Sequence, residues 1–169
     1  MNQRDIITCP YCGSKLIQQV EQYYCDFCVM ELSPDQVQLN HERISVRVRD
    51  YALDVYLDKT TPELMRYSTF ELLNLLKYAR SERANIYKLM DTFYKARIEL
   101  KNNNYKEEED YSRKEYEKIT RKMFVVENLL RQRLGYVPHK ITNDYLFRFL
   151  EDMKKDKQTP MTFGKQKYK

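Results

Sequence analysis

The four cysteines of this 169-residue chain fall as two Cys-x-x-Cys pairs, Cys9-Pro10-Tyr11-Cys12 and Cys25-Asp26-Phe27-Cys28, separated by twelve residues. A Cys-x-x-Cys pair bends into a tight turn that aims both sulfurs at one point. Two such turns offer four thiolates, the tetrahedral set that a structural zinc ion takes. The segment between them, Gly13 to Tyr24, is long enough to run out and return as a hairpin. Gly13 directly follows Cys12, where the turn calls for a positive φ that glycine adopts cheaply. Leu16, Val20 and Tyr24 are the candidate apolar cover. So short a segment buries too little surface to fold alone, so the ion is expected to supply folding free energy. Four thiolates leave no open position for water, which argues against a catalytic metal.

On Cys9, Pro10, Cys12, Gly13, Cys25 and Cys28 the segment resembles the zinc-ribbon class, over roughly residues 7–32. In the second knuckle Val29 stands where that class commonly has glycine. The resemblance implies a place among proteins of transcription, replication or RNA handling. Cys-Pro-Tyr-Cys is also the active-site tetrapeptide of glutaredoxins, but no βαβ unit surrounds it here and the second pair would have no role. Disulfides are a further alternative. The short, polar Met1–Thr8 does not read as a secretory segment, so a reducing, cytoplasmic setting and a metal are expected instead. Iron could occupy such a site in principle; zinc is the common occupant.

The rest of the chain is poor in breakers, with three glycines and five prolines, and 33% of its residues are charged. That composition reads as long helices. Length suits one small metal module and one helical domain, and no apolar run approaches the ~20 residues a membrane helix needs. Ser33-Pro34-Asp35-Gln36 has the form of a helix start, and Val37, Ile44, Val48, Tyr51 and Val55 follow at helical spacing, predicting a helix over about 34–58. A strand at Arg43–Arg49, with Ile44, Val46 and Val48 alternating, is the competing reading. Thr60-Thr61-Pro62-Glu63 starts a short helical turn. Ser68-Thr69-Phe70-Glu71 is a capping box that opens a helix over about 69–101, with Leu72, Leu76, Ala79, Arg83, Ile86, Met90, Phe93, Arg97 and Leu100 along one seam. Glu107–Asp110 favours the next helix start. That helix runs over about 107–134, with Tyr116, Ile119, Met123, Val126, Leu130 and Leu134 as its buried stripe and Gly135 at its left-handed cap. These two helices are expected to form an antiparallel hairpin, each about 40–50 Å long at 1.5 Å per residue. A last helix is expected over about 143–156. The fold class is therefore mainly α: a zinc ribbon at 1–32, a helical domain at 33–156 and a basic flexible tail at 157–169.

Net charge is +5, but its placement matters more. Residues 1–50 sum to −2, residues 51–153 to +2, and residues 154–169, with six lysines and one aspartate, to +5. The folded part is nearly neutral, which weakens any inference from overall charge to a nucleic-acid-binding surface. Candidate contacts for nucleic acid or a protein partner are Arg80 and Arg83 on the long helix, the tail lysines Lys154, Lys155, Lys157, Lys165, Lys167 and Lys169, and the aromatic residues Tyr23 and Phe27 beside the knuckles. The favoured reading is instead that Arg83 and Arg97 pair with carboxylates across the hairpin, their stems covering apolar surface, and Tyr24 is expected in the ribbon core. His41 and His139 have no cysteine or histidine at ligand spacing. No nucleophile–base pair and no phosphate-binding loop occur. The expectation is a non-enzymatic accessory or regulatory factor of the transcription or replication machinery, touching nucleic acid or a polymerase. The alternative is a protein-binding module or inhibitor in which zinc is purely structural. A protein partner is expected, with nucleic acid a second possibility, and neither a membrane nor a small-molecule substrate.

Overall fold

The computed structural model describes residues 5–45, 49–100, 105–156 and 159–162. The chain is mainly α, with four α-helices and a small N-terminal β region among the described residues. It divides into two compact units, residues 1–47 with 155–169, and residues 48–154.

The first unit contains, among the described residues, five short strands: β1 (Ile7–Thr8), β2 (Ile17–Gln18), β3 (Tyr23–Cys25), β4 (Met30–Leu32) and β5 (Gln38–Leu39). Strands β2, β3 and β4 form one antiparallel sheet, and β1 pairs with β5 in another. The registers are Ile17 opposite Tyr24, Tyr23 opposite Leu32, Cys25 opposite Met30, and Ile7 opposite Leu39. Its core is small: Cys9, Leu16, Cys25 and Leu32 are buried, with Tyr23 and Val37 among the side chains packed against them.

A helix over 34–58 does not form. The Ser33 cap closes a single turn, in which the Gln36 N–H donates to the Ser33 carbonyl at 3.0 Å and the Ser33 N–H to Gln36 Oε1 at 3.0 Å. The chain then goes extended, because Gln38–Leu39 completes the sheet edge offered by Ile7–Thr8. Pairing with a distant strand overrides the local helical signal. Asn40 and His41 follow with φ of 50° and 65°, left-handed values that no helix continues through. Arg43 to Ser45 and Arg49 are not in a strand either; residues 46–48 of the competing strand lie outside the described residues. A 3-10 helix occupies Asp54–Asp58. Thr159 and Met161, in the segment expected to be flexible, are hydrogen-bonded to the loop after β5: the Met161 N–H donates to the His41 carbonyl at 2.9 Å, and Arg43 Nε to the Thr159 carbonyl at 3.0 Å.

The second unit holds α1 (Thr61–Leu64), α2 (Thr69–Glu99), α3 (Lys106–Leu134) and α4 (Asn143–Lys154). Three boundary signals act as expected. Thr60 caps α1, its N–H donating to Glu63 Oε2 at 2.8 Å. Ser68 and Glu71 exchange hydrogen bonds at 3.1 and 2.8 Å at the start of α2. Gly135 ends α3 at φ 78°, and a Cβ there would meet nothing within 4 Å, so only backbone conformation selects glycine.

Burial in α2 is concentrated at its N-terminal end. Phe70, Leu72, Leu73, Leu75, Leu76 and Ala79 are all buried, on every side of the helix, because α3, α4 and the 3-10 helix pack around that end. They share one core with Leu57, Leu64, Ile119, Val126, Leu129, Leu130, Ile141 and Leu146. Beyond Ala79 no residue of α2 is buried, and polar or aromatic pairs join it to α3. Arg80 meets Glu127 at 3.0 Å, Arg83 meets Thr120 at 3.1 Å, and Arg97 meets Glu109 at 2.7 Å. Tyr87 lies against Tyr116 and Phe93 against Tyr105 at ring-centroid distances of 5.8 and 6.3 Å.

Candidate metal centre

The site is built by two Cys-x-x-Cys turns. In the first, the Gly13 N–H donates to the Cys9 carbonyl at 2.9 Å and the Cys9 N–H to the Ser14 carbonyl at 2.8 Å. In the second, the Cys28 N–H donates to Cys25 Sγ at 3.4 Å. Each turn leaves its second cysteine through a left-handed residue, Gly13 at φ 71° and Val29 at φ 53°. Glycine accepts that conformation freely; a β-branched residue there is a true outlier. Val29 is 74% exposed, so packing does not account for it.

The four sulfurs converge, all within 4.8 Å of one another. Cys9 Sγ lies 3.8 Å from Cys28 Sγ, and Cys12 Sγ lies 3.4 Å from Cys25 Sγ. A tetrahedral ion with zinc–sulfur bonds of about 2.3 Å has sulfurs about 3.8 Å apart, so the donor set fits such an ion. Cys9 and Cys25 are buried and Cys12 and Cys28 half-buried. Among the described residues no other group of three or more histidine, cysteine or acidic side chains is placed to hold a metal.

Electrostatics lead to the same donor chemistry. Three of the four thiols are pushed in opposite directions. At Cys12 burial opposes ionisation, but hydrogen bonds from the Ser14 side chain and backbone and from Cys25 outweigh it and bring the pKa down to about 6. Cys28 is pushed up to about 12, first by its hydrogen bond with Cys12 and then by burial and the other two sulfurs. Burial is the main cause that raises Cys25. Cys12 is thus favoured as a thiolate, while Cys25 and Cys28 are held toward the thiol. A divalent cation reverses that balance, because a coordinating thiol is deprotonated outright.

Support for the turns comes from residues without a spacing signal. Thr8 is fully buried; its hydroxyl donates to the Gln38 carbonyl at 3.2 Å and accepts from the His41 N–H at 3.2 Å. His41 Nδ1 lies 2.7 Å from the Gly13 carbonyl. That oxygen only accepts, so the ring nitrogen is the donor. The candidate donor group holds the four cysteines and not His41; through Nδ1 His41 braces the first knuckle from just after β5. A lone histidine after a strand carries no sequence signature for this, and the left-handed Asn40–His41 turn that aims it is set by the β1–β5 pairing.

The aromatic residues sort differently from expectation. Side chains alternate along a strand, so with Cys25 facing the core Tyr23 faces it too, and Tyr23, not Tyr24, packs against the buried cluster. Val20, expected in the cover, is 100% exposed at the hairpin turn. Phe27 is 78% exposed at the tip of the second knuckle.

Arg80 and Arg83 are engaged within the helical unit. Arg80 donates to the Pro138 and His139 carbonyls at 2.8 and 3.0 Å and to Glu127. Arg83 donates to Thr120 and the Tyr116 hydroxyl, with its guanidinium 4.9 Å from the Tyr116 ring centre. Lys154 ends α4 and Lys155 follows it; Lys157, Lys165, Lys167 and Lys169 lie outside the described residues. No helix is long and apolar enough to cross a membrane among the described residues. The chain matches no protein-family model, no curated protein and no solved structure.

Proposed function

We propose that this chain is a non-enzymatic accessory protein in which a zinc ribbon with a purely structural ion accompanies an antiparallel helical hairpin, and that it acts by binding a partner protein. The convergence of four sulfurs carries this reading: a four-thiolate ion is coordinatively closed, so it shapes the chain without supplying a reactive water. Contacts that recede along α3 as they advance along α2 support the antiparallel hairpin. Four cysteines converging as one metal-donor set suit a reducing, cytoplasmic setting. The zinc-ribbon resemblance points to the transcription or replication machinery as the assembly in which the partner is found.

A protein partner is favoured over direct nucleic-acid contact because Arg80, Arg83 and Arg97 have internal acceptors. Direct contact would then fall to the lysines of 154–169 and to exposed Phe27. Titrating the zinc-loaded protein with double- and single-stranded DNA and with RNA at low and physiological salt separates the two readings. The proposed reading expects no binding that falls steeply with salt. Binding with a steep salt slope that is lost on deleting 154–169 would replace it with the nucleic-acid reading. Metal analysis of the reduced protein should give one zinc per chain, and none in Cys9→Ser.

A further inference from the structure

In the second unit, the 3-10 helix Asp54–Asp58 and the facing sides of α2 and α3 enclose a groove of about 390 Å³. Its floor is apolar: Leu57 and Ile119 are buried core residues and Ile86 is packed against them. Its edges keep Val55 and Tyr78 exposed, at 56% and 44%. Around this floor stand four carboxylates, Asp54, Asp58, Glu82 and Glu115, against two ammonium groups, Lys118 and Lys122.

Both ammonium groups already have acceptors inside the protein. Lys118 pairs with Asp58 at 3.1 Å, and Lys122 donates to the Lys59 carbonyl. The lining nonetheless sums to two negative charges, four carboxylates against two ammonium groups, with Glu115 also acting on Lys118. These carboxylates are not a cation site, because they do not converge as ligands; among the described residues only the four cysteines do. The same negative charge opposes a nucleic-acid backbone. A volume at the lower end of the roughly 300–1,000 Å³ of small-molecule pockets, lying open between helices, suits one or two apolar side chains of a peptide.

We infer that this groove binds a basic segment of a partner protein, seating an apolar side chain of that segment on Leu57, Ile86 and Ile119 while flanking lysine or arginine heads meet Asp54, Glu82 and Glu115. An apolar floor supplies affinity, and a net negative rim around it selects among segments. This deepens the protein-partner reading above and rests on it.

The test uses the full zinc-loaded chain and a displayed library of random dodecapeptides. Selected peptides are expected to carry a leucine, methionine or phenylalanine flanked by lysine or arginine. Amide chemical shifts on titration should move first at Leu57, Glu82, Ile86 and Ile119. Glu82→Lys with Glu115→Lys, at positions outside the core, should weaken the selected peptides at least tenfold while melting stays unchanged. Glu82→Gln with Glu115→Gln should give an intermediate loss. Selected peptides without positive charge, or basic peptides that bind the reversed variant equally well, would overturn the groove assignment while leaving a protein-binding role intact. A library yielding no binder at all would overturn both.

Discussion

Removing the ion with a chelator should unfold the first unit and leave the second folded. The magnitude follows from what the first unit buries. Apart from the cysteines its buried apolar side chains, among the described residues, are Leu16 and Leu32. At about 1.5–3 kcal/mol each they contribute about 3–6 kcal/mol. Structural zinc sites in small finger peptides contribute about 10–16 kcal/mol near neutral pH. A zinc ion held by the four cysteines would thus stabilise the unit about twice as much as the two leucines or more, and without it those leucines must hold five strands of two or three residues each. The second unit has a core of fifteen buried residues among those described and none of the four ligands. The assay is a stepwise chelator titration followed by amide spectra and by the far-ultraviolet helical signal. Dispersed amides of Thr8, Leu16, Cys25 and Leu32 should collapse as zinc is withdrawn, while the helical signal changes little, because α1 to α4 all lie in residues 48–154. Dispersed first-unit amides in protein shown to be zinc-free would refute the reasoning. A helical signal that falls in step with zinc would refute the independence of the two units.

Three other perturbations follow from particular contacts. Leu130→Ala removes a fully buried side chain and should destabilise the second unit by about 2–5 kcal/mol in denaturant melts; a change near zero would mean that the core closes around the gap. Glu109, nearly buried, is held below the usual carboxylate range by its hydrogen bond from Arg97, which outweighs burial, with Arg113 assisting. A folded-state pKa below the unfolded one gives stability that is present above about pH 4.3 and lost as pH falls through the folded value. The melting temperature should therefore drop on acidification in that range, and less so in Arg97→Gln; identical pH profiles would dissociate Glu109 from the effect. Val29→Gly relieves a left-handed β-branched residue, about 1–2 kcal/mol, against a glycine entropy cost of about 0.5–1 kcal/mol. The zinc-loaded first unit should gain up to about 1 kcal/mol, read by amide exchange; a clear loss would show that the Val29 side chain makes contacts worth more than its strain.

The legible parts of the chain were those specified by neighbours in sequence. Two Cys-x-x-Cys turns, the Ser68–Glu71 capping box and the Gly135 terminus each depend on bonds spanning a few residues, so spacing alone announces them. The periodic apolar stripe of α3 at Ile119, Val126 and Leu130 was readable for the same reason.

What spacing could not announce was decided by partners far along the chain. Ser33–Gln36 is a sound helix start, yet β1 claims the residues after it, and that pairing makes Gln38–Leu39 a strand. Strand register, not residue type, turns Tyr23 inward and leaves Tyr24 off the core. The pairing also delivers His41 to the Gly13 carbonyl, across a separation of twenty-eight residues. Pairing of Arg83 and Arg97 across to α3 is expected from the sequence, but the partners were set by packing: Arg97 meets the carboxylate of Glu109, while Arg83 meets the hydroxyls of Thr120 and Tyr116. The acidic groove is assembled from three elements, none of which carries its pattern alone. The sequence by itself determined the four-cysteine cluster, the mainly helical class, the start of α2 and the end of α3, because those are local bonds. Tertiary structure alone decided which face is buried, which charge is compensated and which residue braces the metal turns, because each of these is a free-energy difference set by a neighbour that the local chain does not contain.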